Sequence, residues 1–324
     1  MCREFHLLEL MLYQKLNKPE YLFNPVQILR KLEYVCGRYS SRSTVSVPLP
    51  WGTALQVNPH ETIGRNLVMA GVYELAVSEI LWRLSESGDW CLDIGANIGY
   101  MTSLLAAKTQ AVGRVFSFEP HPVIFGRLQA NINNMPHDRY APIQAHRIAL
   151  GALDGTINLV EPEGFDSNEG NAKLTNNSLP SKNGYQVPIS RLDSHFVNGE
   201  RLGVVKVDVE GWELSVFQGA EQLLAEHRIR DIVFEDFEAF PSDSVKFLQN
   251  KGYAIFLVAK KILGPFIVHP SETNARDLLL SYEPVNYLAT IDPQRALKLL
   301  QPRGWFCLKA KIHPPERRLC LPPS

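Results

Sequence analysis

The sequence lacks the features that would place it among disulfide-bonded, membrane-spanning or secreted proteins. Its 324 residues contain five scattered cysteines and no Cys-x-x-Cys pair, so neither a disulfide framework nor a zinc site is indicated. No run of about 18 uncharged apolar residues occurs, so no membrane span is expected. The first residues carry no basic region ahead of a long apolar run, which argues against a signal peptide. We therefore expect a cytoplasmic protein.

An excess of one charge sign is also missing. Lys and Arg total 33 against 34 acidic residues, and no basic stretch stands out along the chain. Nucleic-acid-binding proteins usually carry a basic patch or stripe. The composition therefore predicts no nucleic-acid partner, while 45% hydrophobic and 21% charged residues are ordinary for a soluble globular protein.

Residue patterns divide the chain into four parts. Thr44 to Val57 alternates and turns at Pro50-Trp51-Gly52, which predicts a β-hairpin, and Val72 to Leu84 predicts an amphipathic helix. The tail is rich in proline and is expected to be irregular from Arg303 on. The predicted parts are a helical N-terminal extension (1–43), a hairpin and helix leading into the core (44–88), a core domain (89–295) and a C-terminal tail (296–324).

In the core domain, short apolar runs alternate with helical stretches. Short apolar runs separated by helices indicate parallel strands that are buried on both faces. We therefore predict an α/β fold with a doubly wound, Rossmann-like sheet, whose ligands bind at the carboxyl ends of the strands. The predicted strands are Trp90–Ile94, Val115–Phe118, Val204–Val207 and Ile232–Phe234, and the predicted helices are Tyr100–Ala107, Val123–Asn134 and Glu213–Glu226.

A long polar segment interrupts this pattern. Glu161–Gly184 is rich in Asn, Ser, Gly and Lys and lies between two strand-like runs. Loops of this length inside a compact domain are usually functional or disordered. If the segment is functional, we expect it to help cover the substrate site.

The most informative motif is a glycine loop after the first predicted core strand. In Cys91-Leu-Asp-Ile-Gly-Ala-Asn-Ile-Gly-Tyr100 the strand ends at Asp93, and the chain turns through Gly95 and Gly99 into a helix. Glycines permit tight turns and let a ligand approach the backbone closely. A dinucleotide site would have Gly in place of Asp93. Because a carboxylate repels pyrophosphate, this loop favours a ligand with a cationic end, such as the methionine end of S-adenosylmethionine.

A second acid ends the next strand. Glu119 follows Val115-Phe-Ser-Phe and stands 26 residues after Asp93. A carboxylate at this position can accept hydrogen bonds from both ribose hydroxyls of an adenosine. The pair formed by Asp93 and Glu119 is therefore more specific than either acid alone.

Ionisable residues also accompany the strand at 204–207. Lys206 and Asp208 alternate with valines, and Glu210 follows. Charges near the end of a buried strand are costly unless they are paired or functional. Asp208 or Glu210 is a candidate base for a hydroxyl acceptor. Asp208 could instead only hold the cofactor, with Lys206 and Glu210 in structural ion pairs, or acids here could hold a divalent ion.

Together these motifs resemble the FkbM family of methyltransferases over about residues 45–290. The most specific part is Val205-Lys-Val-Asp-Val-Glu-Gly211. Trp212 stands where the family pattern leads us to expect a smaller residue. The other matching residues are Gly71-Val-Tyr-Glu74, Leu92–Tyr100, Phe118-Glu-Pro120, Asn131-Ile-Asn133, Ala149-Leu-Gly151, Leu192-Asp193, Glu213, Gly219-Ala220 and Phe234-Glu235.

The resemblance implies a class I methyltransferase that moves a methyl group from S-adenosyl-L-methionine to a hydroxyl of a small molecule or glycan. The residues that would line the methionine end are Asp93, Gly95, Asn97 and Gly99. Glu119 would hold the ribose. Ala149 and Leu150 would lie near the adenine. The implied cofactor-binding residues are Asp93, Gly95, Ala96, Asn97, Gly99, Glu119, Ala149 and Leu150, with Asp208 and Glu210 as catalytic candidates and no metal ligand.

Two other functions use the same motifs. One is a module that binds S-adenosylmethionine without catalysis, and the other is an NAD-dependent oxidoreductase on the same fold. Glu74, His121 and His146 are weaker candidates, because an exposed acid, a loop histidine or a strand histidine needs no function. The sequence does not indicate an oligomeric state.

Overall fold

The computed structural model describes residues 18–177, 184–238, 240–272 and 285–310. The protein consists of short strands with short helices packed around them. In chain order the strands are β1 Val45–Pro48, β2 Ala54–Val57, β3 Trp90–Ile94, β4 Arg114–Phe118, β5 Ile143–His146, β6 Ala149–Leu150, β7 Gly155–Val160, β8 Lys173–Thr175, β9 Gly184–Ser190, β10 Leu202–Val207, β11 Ile229–Glu235, β12 Ala254–Lys261, β13 Gly264–Val268 and β14 Asn286–Thr290.

The helices cover both faces of the strand assembly. In chain order they are α1 Pro19–Leu22, α2 Val26–Val35, α3 Thr62–Ala70, α4 Leu75–Leu84, α5 Tyr100–Thr109, α6 Pro122–Asn133, α7 Glu213–Gly219, α8 Glu221–Ala225, α9 Asp243–Asn250 and α10 Pro293–Leu300. None of these helices combines the length and apolarity that crossing a bilayer requires.

One central sheet has the strand order β13-β12-β14-β11-β10-β3-β4-β5. The five neighbours from β11 to β5 are parallel, whereas β14 runs antiparallel between β11 and β12. Counted along the chain, the parallel strands lie in the order 3-2-1-4-5, with the reversal between β3 and β10. This order is typical of doubly wound sheets. The predicted fold class is confirmed.

Burial on both faces explains the apolar runs of the parallel strands. All six residues of β10 are buried. Val204 joins one hydrophobic cluster with residues of α4 and α5, and Val205 joins another with residues of α7, α8 and α9. Parallel strands covered by helices on both sides require this composition.

Two smaller sheets flank the central sheet. The predicted hairpin is β1 paired with β2, and Trp51 at its turn is fully buried and donates a hydrogen bond to Ser103 Oγ at 3.0 Å. The second sheet has the order β6-β9-β7-β8 and is built from residues 149–190. Residues 161–172 of the predicted polar segment connect β7 and β8 and lie beside the carboxyl edge of the central sheet. The predicted segment also contains β8, and its residues 178–183 lie outside the described residues.

The structure differs from the sequence-based prediction at two places. The helix predicted over Glu213–Glu226 is two helices, because the Asp193 carboxylate accepts the backbone N–H groups of Gln222 and Leu223 and so caps a new helix. The predicted boundary between residues 295 and 296 falls inside α10. Beyond α10, Trp305 and Cys307 are fully buried, so this part of the tail packs on the domain. Residues 1–17 and 311–324 of the predicted extension and tail lie outside the described residues.

Candidate active site at the carboxyl edge of the sheet

The turn after β3 requires glycine for two separate reasons. Gly95 has φ +81°, in the left-handed region that favours glycine. A Cβ on Gly95 would lie 1.8 Å from the backbone oxygen of Asp208, and the Asp208 N–H donates to the Ile94 oxygen at 3.0 Å. The turn after β3 therefore lies directly against the turn after β10.

Asp93 lies beneath this turn and is only 1% exposed. Its Oδ2 accepts a hydrogen bond from Thr102 Oγ1 at 2.6 Å, while Oδ1 has no hydrogen-bond partner among the described residues. Burial raises the pKa of this carboxyl, and the nearby Lys206 opposes the rise. Asp93 does not line the cavity described below. Its direct contact with a cofactor stays a prediction.

Glu119 anchors the glycine loop at the end of β4. Its two oxygens accept the backbone N–H groups of Asn97 and His121, both at 2.9 Å. Burial raises the pKa of Glu119 to about 7. Each carboxylate oxygen can accept two hydrogen bonds. Glu119 therefore keeps one acceptor position on each oxygen for a ligand in the cavity that it lines.

The end of β10 carries an ion pair and a free acid. Lys206 Nζ donates to Asp208 Oδ2 at 2.6 Å. Burial opposes the charge of Lys206, but Asp208 and Glu74 together raise its pKa above the ordinary value. Glu210 makes no side-chain hydrogen bond or ion pair with the residues described, and burial, together with the charge of Asp208, raises its pKa to about 7.

Two further acids face the same edge from other elements. Glu74 precedes α4, and its Oε2 is buried without a hydrogen-bond partner among the described residues. Burial raises the pKa of Glu74 to about 7, against the effect of Lys206. Glu235 ends β11, and burial together with the charges of Asp208 and Glu74 raises its pKa to about 10. One buried ammonium group thus stands among several carboxyl groups.

These acids surround a cavity of about 630 Å³, within the usual range for small-molecule sites. Part of its wall comes from strand ends of the central sheet and part from the segment between β7 and β8. The lining residues used below are Tyr73, Glu74, Gly95, Asn97, Glu119, Glu163, Glu169, Lys173, Asp208, Glu210, Glu235 and Asp236.

Backbone strain is concentrated around this cavity. Five non-glycine residues have positive φ among the described residues, and three of them, Glu74, Asn97 and Glu210, line the cavity. Such conformations cost roughly 1–3 kcal/mol each and persist only where the surroundings enforce them. Strain of this kind is typical of functional sites.

The structure brings together half of the predicted site residues. Of the ten, Gly95, Asn97, Glu119, Asp208 and Glu210 line the cavity. Outside the lining lie Asp93, Ala96, Gly99, Ala149 and Leu150. Ala149 and Leu150 form the buried strand β6 of the smaller sheet. Their role near the adenine stays a prediction.

The weaker candidates are partly structural. Nδ1 of His121 accepts the Ile124 N–H at the start of α6, and its Nε2 lies 2.9 Å from Glu161 Oε1. His146 stacks on Phe118, outside the cavity lining. Trp212 packs against two hydrophobic clusters, one in the smaller sheet and one that includes residues of the central sheet.

Two acids at the cavity, Glu74 and Glu235, were present in the sequence motifs, but the sequence could not show that they lie at the site. Glu74 was a weak candidate and Glu235 only part of a family motif, yet both line the cavity. Within the described ranges, no three His, Cys, Asp or Glu side chains are grouped as a metal site would need.

The comparisons with known proteins find methyltransferases. Over 153 residues, 47% of this chain and 58% of the relative, the chain is 33% identical to hexuronic acid methyltransferase AglP of Haloferax volcanii. It is 28% identical over 190 residues to methyltransferase 1 of Beauveria bassiana, covering 51% of this chain and 72% of that one. The chain thus spans less than two thirds of the Haloferax enzyme.

Solved structures overlap more loosely. An O-methyltransferase of Thermotoga maritima aligns with a TM-score of 0.37 and 13% identity, over 68% of this chain and 65% of that one. An O-methyltransferase of Bacillus cereus in complex with SAH aligns with a TM-score of 0.36 and 11% identity, over 68% and 82%.

A family model settles the relationship. The methyltransferase FkbM domain matches residues 93–255, half of the chain, from the acid that ends the first core strand to the start of β12. The family predicted from the motifs is thereby confirmed: the chain belongs to the FkbM family of S-adenosylmethionine-dependent methyltransferases.

Proposed function

We propose that the protein transfers a methyl group from S-adenosylmethionine to a hydroxyl oxygen of a small molecule or glycan. The observation that carries this proposal is the row of carboxyl groups along one sheet edge, with Glu119 at one end and Asp208 and Glu210 beyond Gly95. The name of the Haloferax relative, which refers to a hexuronic acid, supports a sugar as acceptor.

The residues present fit this cofactor. The open acceptor positions of Glu119 suit two ribose hydroxyls. The cofactor carries positive charge on its sulfonium and ammonium groups. Carboxylates around the cavity would stabilise those charges, whereas they would repel the pyrophosphate of NAD.

The bound cofactor supplies an electrophilic methyl group, and the protein must supply alignment and a proton acceptor. Methylation replaces O–H by O–CH3, so the hydroxyl proton must leave as the oxygen–carbon bond forms. We assign its acceptance to Glu210, because the carboxylate faces the cavity without a partner among the described residues. Asp208 is held by Lys206 and has the role of fixing the turn against Gly95.

A methyl-transfer screen tests the proposal directly. The protein is incubated with methyl-labelled cofactor and a panel of hydroxylated metabolites and sugars, and labelled products are identified by mass analysis. Calorimetry with S-adenosylhomocysteine and with NAD runs in parallel. Binding of S-adenosylhomocysteine without any methylated product would favour a non-catalytic module. Tight binding of NAD without binding of S-adenosylhomocysteine would favour an oxidoreductase.

Replacing Glu119 should weaken cofactor binding. We expect Glu119→Ala to lose about 1.5–3 kcal/mol of binding free energy for S-adenosylhomocysteine, the usual contribution of hydrogen bonds to a charged group. Glu119→Gln keeps one acceptor oxygen and should lose less. Calorimetry measures both, and equal affinity in wild type and Glu119→Ala would refute the ribose assignment.

Cofactor affinity should rise with pH. Burial raises the pKa values of Glu74, Glu119 and Glu210 to about 7. A bound cation favours the ionised forms and lowers these pKa values, so binding releases protons below about pH 7. Affinity for S-adenosylmethionine should therefore increase from about pH 5.5 to about pH 7.5 and then level off.

The matched ligand for this test is S-adenosylhomocysteine, which lacks the sulfonium charge. Its affinity should depend less steeply on pH. Titrations in buffers of different ionisation enthalpy count the released protons. The same proton count for both ligands would contradict a sulfonium site among these acids.

A further inference from the structure

Glu235 is a buried acid that the proposed chemistry does not use. It is only 7% exposed and lines the cavity, yet its carboxyl group makes no hydrogen bond or ion pair with the residues that the structure describes. Burying a polar group without a partner is unfavourable. A buried group that lines a cavity and has no partner among the described residues is therefore suited to bind a ligand.

The strand order places Glu235 away from the cofactor residues. Along the sheet edge the order is Glu119 after β4, Gly95 after β3, Asp208 after β10 and Glu235 at the end of β11. Neighbouring strands are about 4.8 Å apart, so the strand that carries Glu235 lies about 14 Å from the strand that carries Glu119. With the ribose at Glu119, the side of the cavity at Glu235 is left for the methyl acceptor.

The charges of the wall limit which acceptor can enter. The described lining contains eight carboxyl side chains and one ammonium group, that of Lys173. Asp208 pairs with Lys206 and Glu169 pairs with Arg127, yet acidic groups still outnumber cations along this wall. An anionic acceptor would therefore meet a net negative charge, which is unfavourable in a partly buried site. The acids are Glu74, Glu119, Glu163, Glu169, Asp208, Glu210, Glu235 and Asp236.

The protonation state of Glu235 suits the binding of a hydroxyl group. Burial and the neighbouring Asp208 and Glu74 raise its pKa to about 10, so the carboxyl group keeps its proton at neutral pH. A neutral carboxyl group both donates and accepts a hydrogen bond. Glu235 can therefore donate one hydrogen bond to a ligand hydroxyl and accept another. Neighbouring hydroxyls of a sugar or polyol offer both kinds of partner.

We propose that Glu235 forms an acceptor subsite that binds a hydroxyl of an uncharged, polyhydroxylated molecule and that this wall rejects anionic acceptors. The inference rests on the proposed function, because it presumes that the cavity receives a methyl acceptor. It makes the acceptor of this chain different in charge from the hexuronic acid in the name of the Haloferax relative.

The first test separates a ligand-binding role from a structural one. Glu235→Gln keeps the shape and the neutral state of the side chain. Because no described residue depends on Glu235, its melting temperature should equal or exceed that of the wild type. A fall of several degrees would show that Glu235 supports the fold and would overturn the proposal.

The second test uses acceptors sorted by charge. A polar metabolite extract is first freed of cations by cation exchange and then separated by anion exchange at pH 7 into unretained neutral compounds and retained anions, and each pool is incubated with labelled cofactor. We expect label in the neutral pool. Label only in the anionic pool would overturn the inference and leave the proposed function intact, whereas no label from either pool would reject both.

The third test isolates the contribution of Glu235. With a neutral acceptor, Glu235→Leu, which removes both the donor and the acceptor of the side chain, should raise the acceptor KM by about tenfold to a hundredfold and leave S-adenosylhomocysteine affinity within about twofold. Glu235→Gln keeps a donor and an acceptor and should raise the KM less. The control is Glu221→Leu, which makes the same exchange at a surface residue paired with Lys251. An unchanged KM in Glu235→Leu would remove the role of Glu235.

Discussion

Glu210→Gln is expected to lower the rate constant of methyl transfer by about 10²–10⁴-fold, the usual contribution of a general base. Glu210 faces the cavity, and its pKa of about 7 is near the pH at which a base both is ionised and takes up a proton readily. An amide at this position keeps the size of the side chain but cannot accept the proton. Single-turnover experiments at saturating cofactor measure the chemical step directly.

Asp208→Asn is the comparison that distinguishes the two acids after β10. Asp208 pairs with the buried Lys206, and Glu74 and Asp93 also lie near this ammonium group, so the loss of Asp208 should destabilise the protein by about 1–3 kcal/mol. Glu210→Gln should leave unfolding nearly unchanged. If instead Glu210→Gln kept the wild-type rate and a folded Asp208→Asn lost it, the base would be Asp208.

Gly95→Ala should prevent cofactor binding and destabilise the domain. The new methyl group would lie 1.8 Å from the Asp208 oxygen, and the residue would keep a φ of +81°. Either the turn after β3 or the turn after β10 must move, and both line the site. We expect a loss of more than about 3 kcal/mol in the free energy of unfolding, beyond the penalty of about 1–2 kcal/mol for left-handed backbone alone.

The chain offers a matched control for this substitution. Gly126 lies inside α6, and a Cβ there would meet nothing within 4 Å. Gly126→Ala should therefore stabilise the protein by about 0.5–1 kcal/mol through helix propensity. Denaturant unfolding and S-adenosylhomocysteine titration of both variants check the prediction. Wild-type cofactor affinity in Gly95→Ala would disprove the close contact.

The parts of the fold that follow local patterns could be predicted from the sequence. β3, β4, β10 and β11 were recognisable because strands buried on both faces leave continuous apolar runs. The hairpin β1–β2 was recognisable from alternation and its turn residues. Strand ends in such sheets converge on one edge, so the presence of Glu119, Asp208 and Glu210 at one cavity also followed.

Features that depend on distant contacts could not be predicted. Glu74 precedes α4 and Glu235 ends β11, and only the assembled sheet brings these two acids together. Asp93 has the sequence position of a ligand-contacting acid, but its side chain accepts a hydrogen bond from Thr102 in the first turn of α5 and is buried below the glycine loop. The break after Gly219 depends on Asp193, which is far away in the sequence.

The contact between Gly95 and the Asp208 carbonyl has a consequence for how such an enzyme can diverge. Because the two turns touch through their backbones, neither can be remodelled without displacing the other. The part of the site formed by these two turns, which would bind the cofactor, therefore tolerates few changes in backbone structure. The segment between β7 and β8 shares the wall but not this contact, so new acceptors would be accommodated by altering that insertion while the sheet edge stays constant.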